Sequence, residues 1–489
     1  MKTGTLSLLL PLLSVGAGVP SEIDALVNRA AAARGEFAAD VLIRLAALDA
    51  VPKSRKIEIL EQAFQRAGEA QQPYKRRASI VRLDGPAGFL NRAYDQELDG
   101  LSLRVRVMAA MLPLDGRKAR ALLSQIPGLN IPKVTCDEFL VYDASRFYET
   151  LGKIAGQTFT PEEVQKHEPS QLLDRYISAV TSPVEVGPAA GLLASTGLRN
   201  DDFRALVTRF AGMLGKIAED DRSFTYSRMG TQILALVEEC KRREISPLPL
   251  LEGYRLYLVT HLSGKRCADD DLMQGGGHSF GLATGAALDP QAAEGWPFFN
   301  EKLRMPPLQP IQEQEVTPSA LEGAASGLRS CADPECRDIA RLYRALIFDA
   351  NGAPHAQSEK STLEWETKLR NFLSALADWK QSADTGSAAY FREKCGFYSD
   401  SFNLAPPGPL RELVLTYMLD YLKQNRFQTE DAIQWFLPVN ALIGRVALDP
   451  AGMRGLAEQL RRSNDPLIAL YADLEQLAPR SPERIMPLL

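Results

Sequence analysis

Histidine is scarce in this chain: four residues among 489. They are His167, His261, His278 and His355, and no two stand at the helical spacing that a zinc-protease motif requires. Charge of one sign is also lacking. Lys and Arg number 56 against 61 Asp and Glu, a formal net charge of −5. That balance excludes the broad basic footprint of a nucleic-acid or anionic-lipid binder. The local basic clusters Lys75-Arg76-Arg77, Lys241-Arg242-Arg243 and Arg461-Arg462 have no interleaved aromatics for base stacking. They read as solvated helix faces, the first two near helix C-termini, where cations complement the dipole. Beyond the N-terminus no apolar run is long enough for a membrane span.

The N-terminus itself carries a pattern. Lys2 precedes an apolar run from Leu6 to Val15, followed by the small residues Gly16 and Ala17. This is the charged, apolar and small-residue order of a secretory signal. Gly16, Gly18 and Pro20 break a helix where a signal should end. Residues 1–17 are therefore expected to be a signal peptide cut after Ala17, and the mature protein to be periplasmic or extracellular.

What is abundant is helical periodicity. Phe203, Leu206, Val207, Phe210, Leu214 and Ile217 form one apolar stripe. Trp365, Leu369, Phe372, Leu373, Leu376 and Trp379 form a second, and Leu410, Leu413, Val414, Tyr417, Met418 and Tyr421 a third. Each stripe needs a partner face. Start signals agree with the stripes. Thr160-Pro161-Glu162-Glu163 and Ser361-Thr362-Leu363-Glu364 read as capping boxes, and Asp333, Asp449 and Asp465 each precede proline. Leu101, Leu103, Val105 and Val107 alternate as a strand would. Leu101, Val105, Met108 and Leu112 also fit a helix, and Ala109 to Met111 decide for helix. The expected fold is all-α, with superhelical or multi-lobed antiparallel packing.

Periodicity fades between 264 and 330, where Gly275-Gly276-Gly277 and Met305-Pro306-Pro307 fall. This divides the mature chain into an N-terminal helical region (18–263), an irregular Gly/Pro-rich insertion (264–330) and a C-terminal helical region (331–489). Two short amphipathic helices around Ser21 to Gln71 resemble one tetratricopeptide-type hairpin, although no regular repeat continues through the chain. More broadly the chain resembles uncharacterised exported bacterial all-α proteins, a resemblance that implies no activity.

Several motifs carry chemistry on paper. Gly277-His278-Ser279-Phe280-Gly281 fits the nucleophile elbow of hydrolases, with Asp349 and His355 following in triad order. The acidic, glycine-rich residues before Ser279 provide no buried strand, so the motif reads as a glycine loop. Leu272-Met273-Gln274 resembles part of the lytic transglycosylase signature, but Asp271 stands at its glycine position and the catalytic Glu-Ser pair is missing. Asp269-Asp270-Asp271 reads as a solvated acidic turn, because consecutive carboxylates splay apart rather than encircle a cation. His261 shares an apolar stripe with Leu251, Tyr254 and Leu258, and reads as a hydrogen-bonded histidine at a helix interface. The aromatics Tyr390, Phe391, Phe397, Tyr398 and Phe402 read as core or as the lining of a groove.

Six cysteines in an exported chain allow up to three disulfides. Cys267 lies too far from Cys240 across a helical hairpin. A bridge from Cys267 to Cys331 or Cys336 would close the insertion. A local Cys331–Cys336 bond, or buried thiols throughout, are the alternatives. The sequence identifies no cofactor, metal site or catalytic residue. It points to a non-enzymatic binding or scaffolding protein with a protein or peptide ligand. The alternative is an exported hydrolase acting through Ser279 or through carboxylates that converge only in the fold.

Overall fold

The computed structural model describes residues 19–266, 312–313 and 334–480, apart from 79–85, 137, 139, 219, 227–228, 264, 350, 357–359, 361, 383–385, 427–430, 449–453 and 478–479. The proposed signal segment and most of the insertion lie outside them. The described chain is all-α, as its periodicity requires.

The first helices are α1 (Val19–Ala31), α2 (Gly35–Ala46) and α3 (Lys53–Ala67). α2 is buried along its whole length. It packs on α1, α3 and α5 (Gly100–Met111). The alternating segment Leu101 to Val107 is thus helical, and Asp99 caps it by accepting the Ser102 N–H. α4 (Pro86–Asp95) precedes it and α6 (Gly116–Leu123) follows.

The basic run at Arg76 departs from the helix reading. Strand β1 (Arg76–Ala78) pairs antiparallel with β2 (Leu140–Tyr142), Arg77 opposite Val141. Three residues per strand are too few for alternation to show in the sequence.

The middle of the chain forms α7 (Ser145–Gln157), α8 (Pro161–Gln165), α9 (Glu168–Ile177), α10 (Pro183–Ser195), α11 (Asn200–Leu214), α12 (Ser223–Tyr226), α13 (Gly230–Arg242) and α14 (Leu248–Ser263). Thr160 and Glu163 make the expected capping box at α8. The α11 stripe from Phe203 to Leu214 is buried against α9 and α14. Gly253 lets α14 approach α11 closely: a Cβ there would stand 2.7 Å from the Ala211 carbonyl oxygen.

The C-terminal helices are α15 (Pro334–Ile347), α16 (Leu363–Asp378), α17 (Ser387–Leu404), α18 (Pro409–Gln424), α19 (Ala432–Leu448), α20 (Arg454–Arg461) and α21 (Pro466–Leu477). Thr362 caps α16 by accepting the Trp365 N–H, and Asp465 caps α21 by accepting from Leu467 and Ile468. The last helices return to the first. α19 packs on α4, and α21 packs on α1 and α2. Phe37 of α2 meets Phe436 and Tyr471, with ring centroids 4.9 and 6.3 Å apart. One continuous apolar core runs from Ile23 to Leu474.

Candidate functional site

A groove of about 750 Å³ lies between α7 and α10. The two helices run in the same direction. Tyr148 meets Glu185 near their starts, and Gly152 faces Leu192 further along. Both walls are low because glycine recurs at helical i, i+4 spacing: Gly152 and Gly156 on α7, Gly187 and Gly191 on α10. A Cβ at Gly156 would meet nothing within 4 Å, and one at Gly191 only the flexible Gln232 side chain at 3.5 Å. These two glycines weaken their helices without relieving a close contact.

The lining mixes apolar and polar surface. Pro183, Val184, Pro188 and Leu192 supply the first. Pro188 lies inside α10 and has no N–H, so it cannot donate to the Val184 carbonyl four residues earlier. The amide oxygen of Gln232 is buried without a donor among the described residues. The Gln232 oxygen is thus an acceptor beside the groove that the described residues leave unused.

At the end where the helices start, Arg77 and Asp143 face each other across the lining. Burial pushes the Asp143 carboxyl up. The Ser145 N–H, Arg77 and Lys75 more than offset this and hold it below the ordinary carboxylate value. Beneath the wall, Glu185 is 1% exposed and accepts from the Tyr148 hydroxyl and the N–H groups of Thr181 and Ser182. Burial raises its carboxyl and pushes the Tyr148 phenol well up. Both act as supports of the groove wall, each only 1% exposed.

Carboxylates do converge elsewhere. Glu36 and Asp431 are 1% and 3% exposed, the Asp431 charge is felt at Glu36, and burial raises both carboxyls. Asp40 pairs with Arg106 at 2.6 Å, and Glu475 with Arg44 at 2.7 Å. None of the four lines the groove.

Ser279, His278 and Asp269 to Asp271 lie outside the described residues. Asp349 accepts from the N–H groups of Asn351 and Ala353, and His355 reaches back to the Ala345 carbonyl in α15. No group of three or more His, Cys, Asp or Glu among the described residues could hold a metal ion. No helix among them is long and apolar enough to cross a membrane.

No two described cysteines are bonded to each other. Cys240 and Cys395 are buried free thiols, whereas Cys136 and Cys336 are disulfide-bonded. Cys267 and Cys331 lie outside the described residues, and so does the expected bridge from Cys267.

The aromatic cluster after Tyr390 is core, not groove lining. Phe391, Phe397, Tyr398 and Phe402 are all 3% exposed or less. Lys394 lies over the Tyr390 and Tyr421 rings, and its Nζ donates to the carbonyls of Ala377 and Trp379 at the end of α16 and to the Tyr390 hydroxyl. Burial pushes the Lys394 ammonium down to about 8. Its saturated donors mark it as a structural cap.

No protein-family model, curated protein or solved structure matches this chain. The functional reading therefore stands on the groove alone. Its sequence signal is the pair of Gly-x-x-x-Gly spacings, 152 to 156 and 187 to 191, which neither apolar stripes nor catalytic motifs reveal.

Proposed function

We propose that this is an exported, non-enzymatic binding protein whose α7–α10 groove holds an extended segment of another polypeptide. The observation that carries the reading is a groove of about 750 Å³ whose two walls carry glycine at 156 and 191, where alanine would fit. That volume is within the range of ligand sites, roughly 300–1,000 Å³. Thirteen-residue helices such as these extend about 20 Å, the length of some six residues of extended chain. The Gln232 amide oxygen suits an N–H group of a peptide backbone. Pro183, Pro188 and Leu192 suit small apolar side chains. Arg77 and Lys153 stand with Asp143 and Glu149 on the lining, so the groove favours no single charge.

The test uses a fluorescent library of random hexapeptides and the purified full chain. Peptides selected by fluorescence anisotropy should lose at least tenfold in affinity for Gly156→Leu and Gly191→Leu, which fill the groove from opposite walls. Unchanged affinity in both folded variants would remove the groove as the binding site.

A further inference from the structure

His261, in the last turn of α14, is 4% exposed. Its Nδ1 lies 2.9 Å from the Tyr257 carbonyl oxygen and its Nε2 3.0 Å from that of Ala218. Carbonyl oxygens only accept. Both ring nitrogens can satisfy these contacts only when both carry hydrogen, which is the imidazolium. In the neutral ring one contact sets a lone pair against a carbonyl oxygen.

The surroundings decide whether the charge is tolerated. Burial opposes it. Against that, the ring stacks on Phe224 with centroids 4.8 Å apart and tilts over Tyr257 at 4.1 Å, and π faces attract a cation. The connection from α11 to α12 presents Asp220 and Asp221. Asp220 is held low first by Lys133, to which it is ion-paired, and feels His261 as well. Arg222 in the same connection turns toward the carbonyls of Cys136 and Glu138. On α14 itself, burial holds the Tyr254 and Tyr257 phenols above their usual range, so neither adds charge. Two acceptors, two π faces and the Asp220 carboxylate thus favour the charged ring.

The contact at Ala218 fixes more than one residue. Three residues on, Asp221 accepts from the Val134 and Ser223 N–H groups and from the Ser182 hydroxyl. Ser182 is the residue before Pro183, where α10 and the groove wall begin. We propose that His261 is a proton-controlled pin, which when charged ties α14 to the α11–α12 connection and so steadies the start of α10. Loss of the proton leaves one of the two bonds and loosens the connection. The protonation rests on the contacts of His261 itself. Only its effect on the groove rests on the peptide-binding reading.

The test takes histidine-labelled full-length protein, with the His261 signal assigned by its disappearance in His261→Gln. Both ring nitrogens of His261 should show protonated ¹⁵N shifts at pH 6.5, with a midpoint above the ordinary histidine value of about 6.5. Hydrogen exchange, corrected for its intrinsic pH dependence, should show protection of peptides spanning 216–223 falling at least threefold through that midpoint. In His261→Gln the same peptides should be equally unprotected on both sides of it. A neutral ring in one tautomer at pH 6.5, or wild-type protection that ignores pH, overturns the pin. Neither measurement involves a peptide ligand, so failure of the pin and failure of the groove are told apart.

Discussion

Arg44 and Glu475 form a buried ion pair, 2.7 Å apart, although 431 residues separate them in the chain. The pair belongs to a larger polar seam between α2, α5 and α21. Asp40 accepts from Arg106 and from the Tyr471 hydroxyl, and Arg480 binds both Glu475 and Asn440. Removing one partner leaves the other charge buried and uncompensated. Glu475→Gln should therefore destabilise the protein by about 3–5 kcal/mol. Arg44→Met combined with Glu475→Leu should recover much of that loss. Urea denaturation of the two variants checks the contrast. Equal losses in both would mean that the seam is held by packing alone.

Asp99 gives a pH dependence with a definite sign. It is fully buried at the start of α5, and burial lifts its carboxyl from 3.8 to about 6 against the pull of the Ser102 N–H. Between those values the folded state keeps a proton that the unfolded chain has released. The contribution of Asp99 to stability thus falls as pH rises from about 4 to about 6. Asn caps a helix as well as Asp does. Asp99→Asn should lose this slope and be more stable at pH 7, by on the order of 1–3 kcal/mol. Thermal melts at pH 4, 5, 6 and 7 decide it. Parallel curves for variant and wild type would refute the assignment.

Two glycine substitutions should move stability in opposite directions. Gly156→Ala places its Cβ in open space and removes helix-weakening freedom, for a gain of about 0.5–1 kcal/mol. Gly253→Ala drives its Cβ into the Ala211 carbonyl and should cost about 1–3 kcal/mol through separation of α14 from α11. Differential scanning calorimetry reads both. A loss at Gly156 would mean that the groove wall has no room to spare.

Thiol chemistry separates the cysteines. Cys240 and Cys395 should alkylate only after unfolding, because both are buried. Cys267 should not alkylate in native, unreduced protein if it bridges to Cys331 or Cys336. Non-reducing peptide mapping identifies its partner, and free alkylation of Cys267 ends that proposal.

Export has an equally direct readout. Material purified from outside the cytoplasm should begin near Gly18 by intact-mass analysis. An intact Met1 on such material would contradict the signal-peptide reading.

Helices were legible where one face is apolar and the start is capped. The stripe from Phe203 to Leu214 and the caps at Thr160, Thr362 and Asp465 are local features, written within a few residues of where they act. The capping box expected from Ser361 to Glu364 is replaced by a single cap, in which Thr362 accepts from the Trp365 N–H. β1 and β2 were not legible, since each owes its existence to a partner more than sixty residues away. The same holds for Glu36 beside Asp431 and for Arg44 beside Glu475. Nothing near either residue announces its mate. The groove falls between these cases: its glycines are periodic and readable, but that α7 and α10 lie side by side is a tertiary fact.

The return of α21 to α1 and α2 has a consequence for how the chain is made. Arg29, in the first helix, takes its partner Asp473 from near the end of the chain. During synthesis the opening helices wait for more than four hundred residues before their wall arrives. Contacts of such sequence separation fold slowly, and their early partners stay exposed meanwhile. A ribosome that stops short of α21 releases a chain whose first helices have lost a covering face, and such a product should be cleared by proteases rather than accumulate as a shorter working protein.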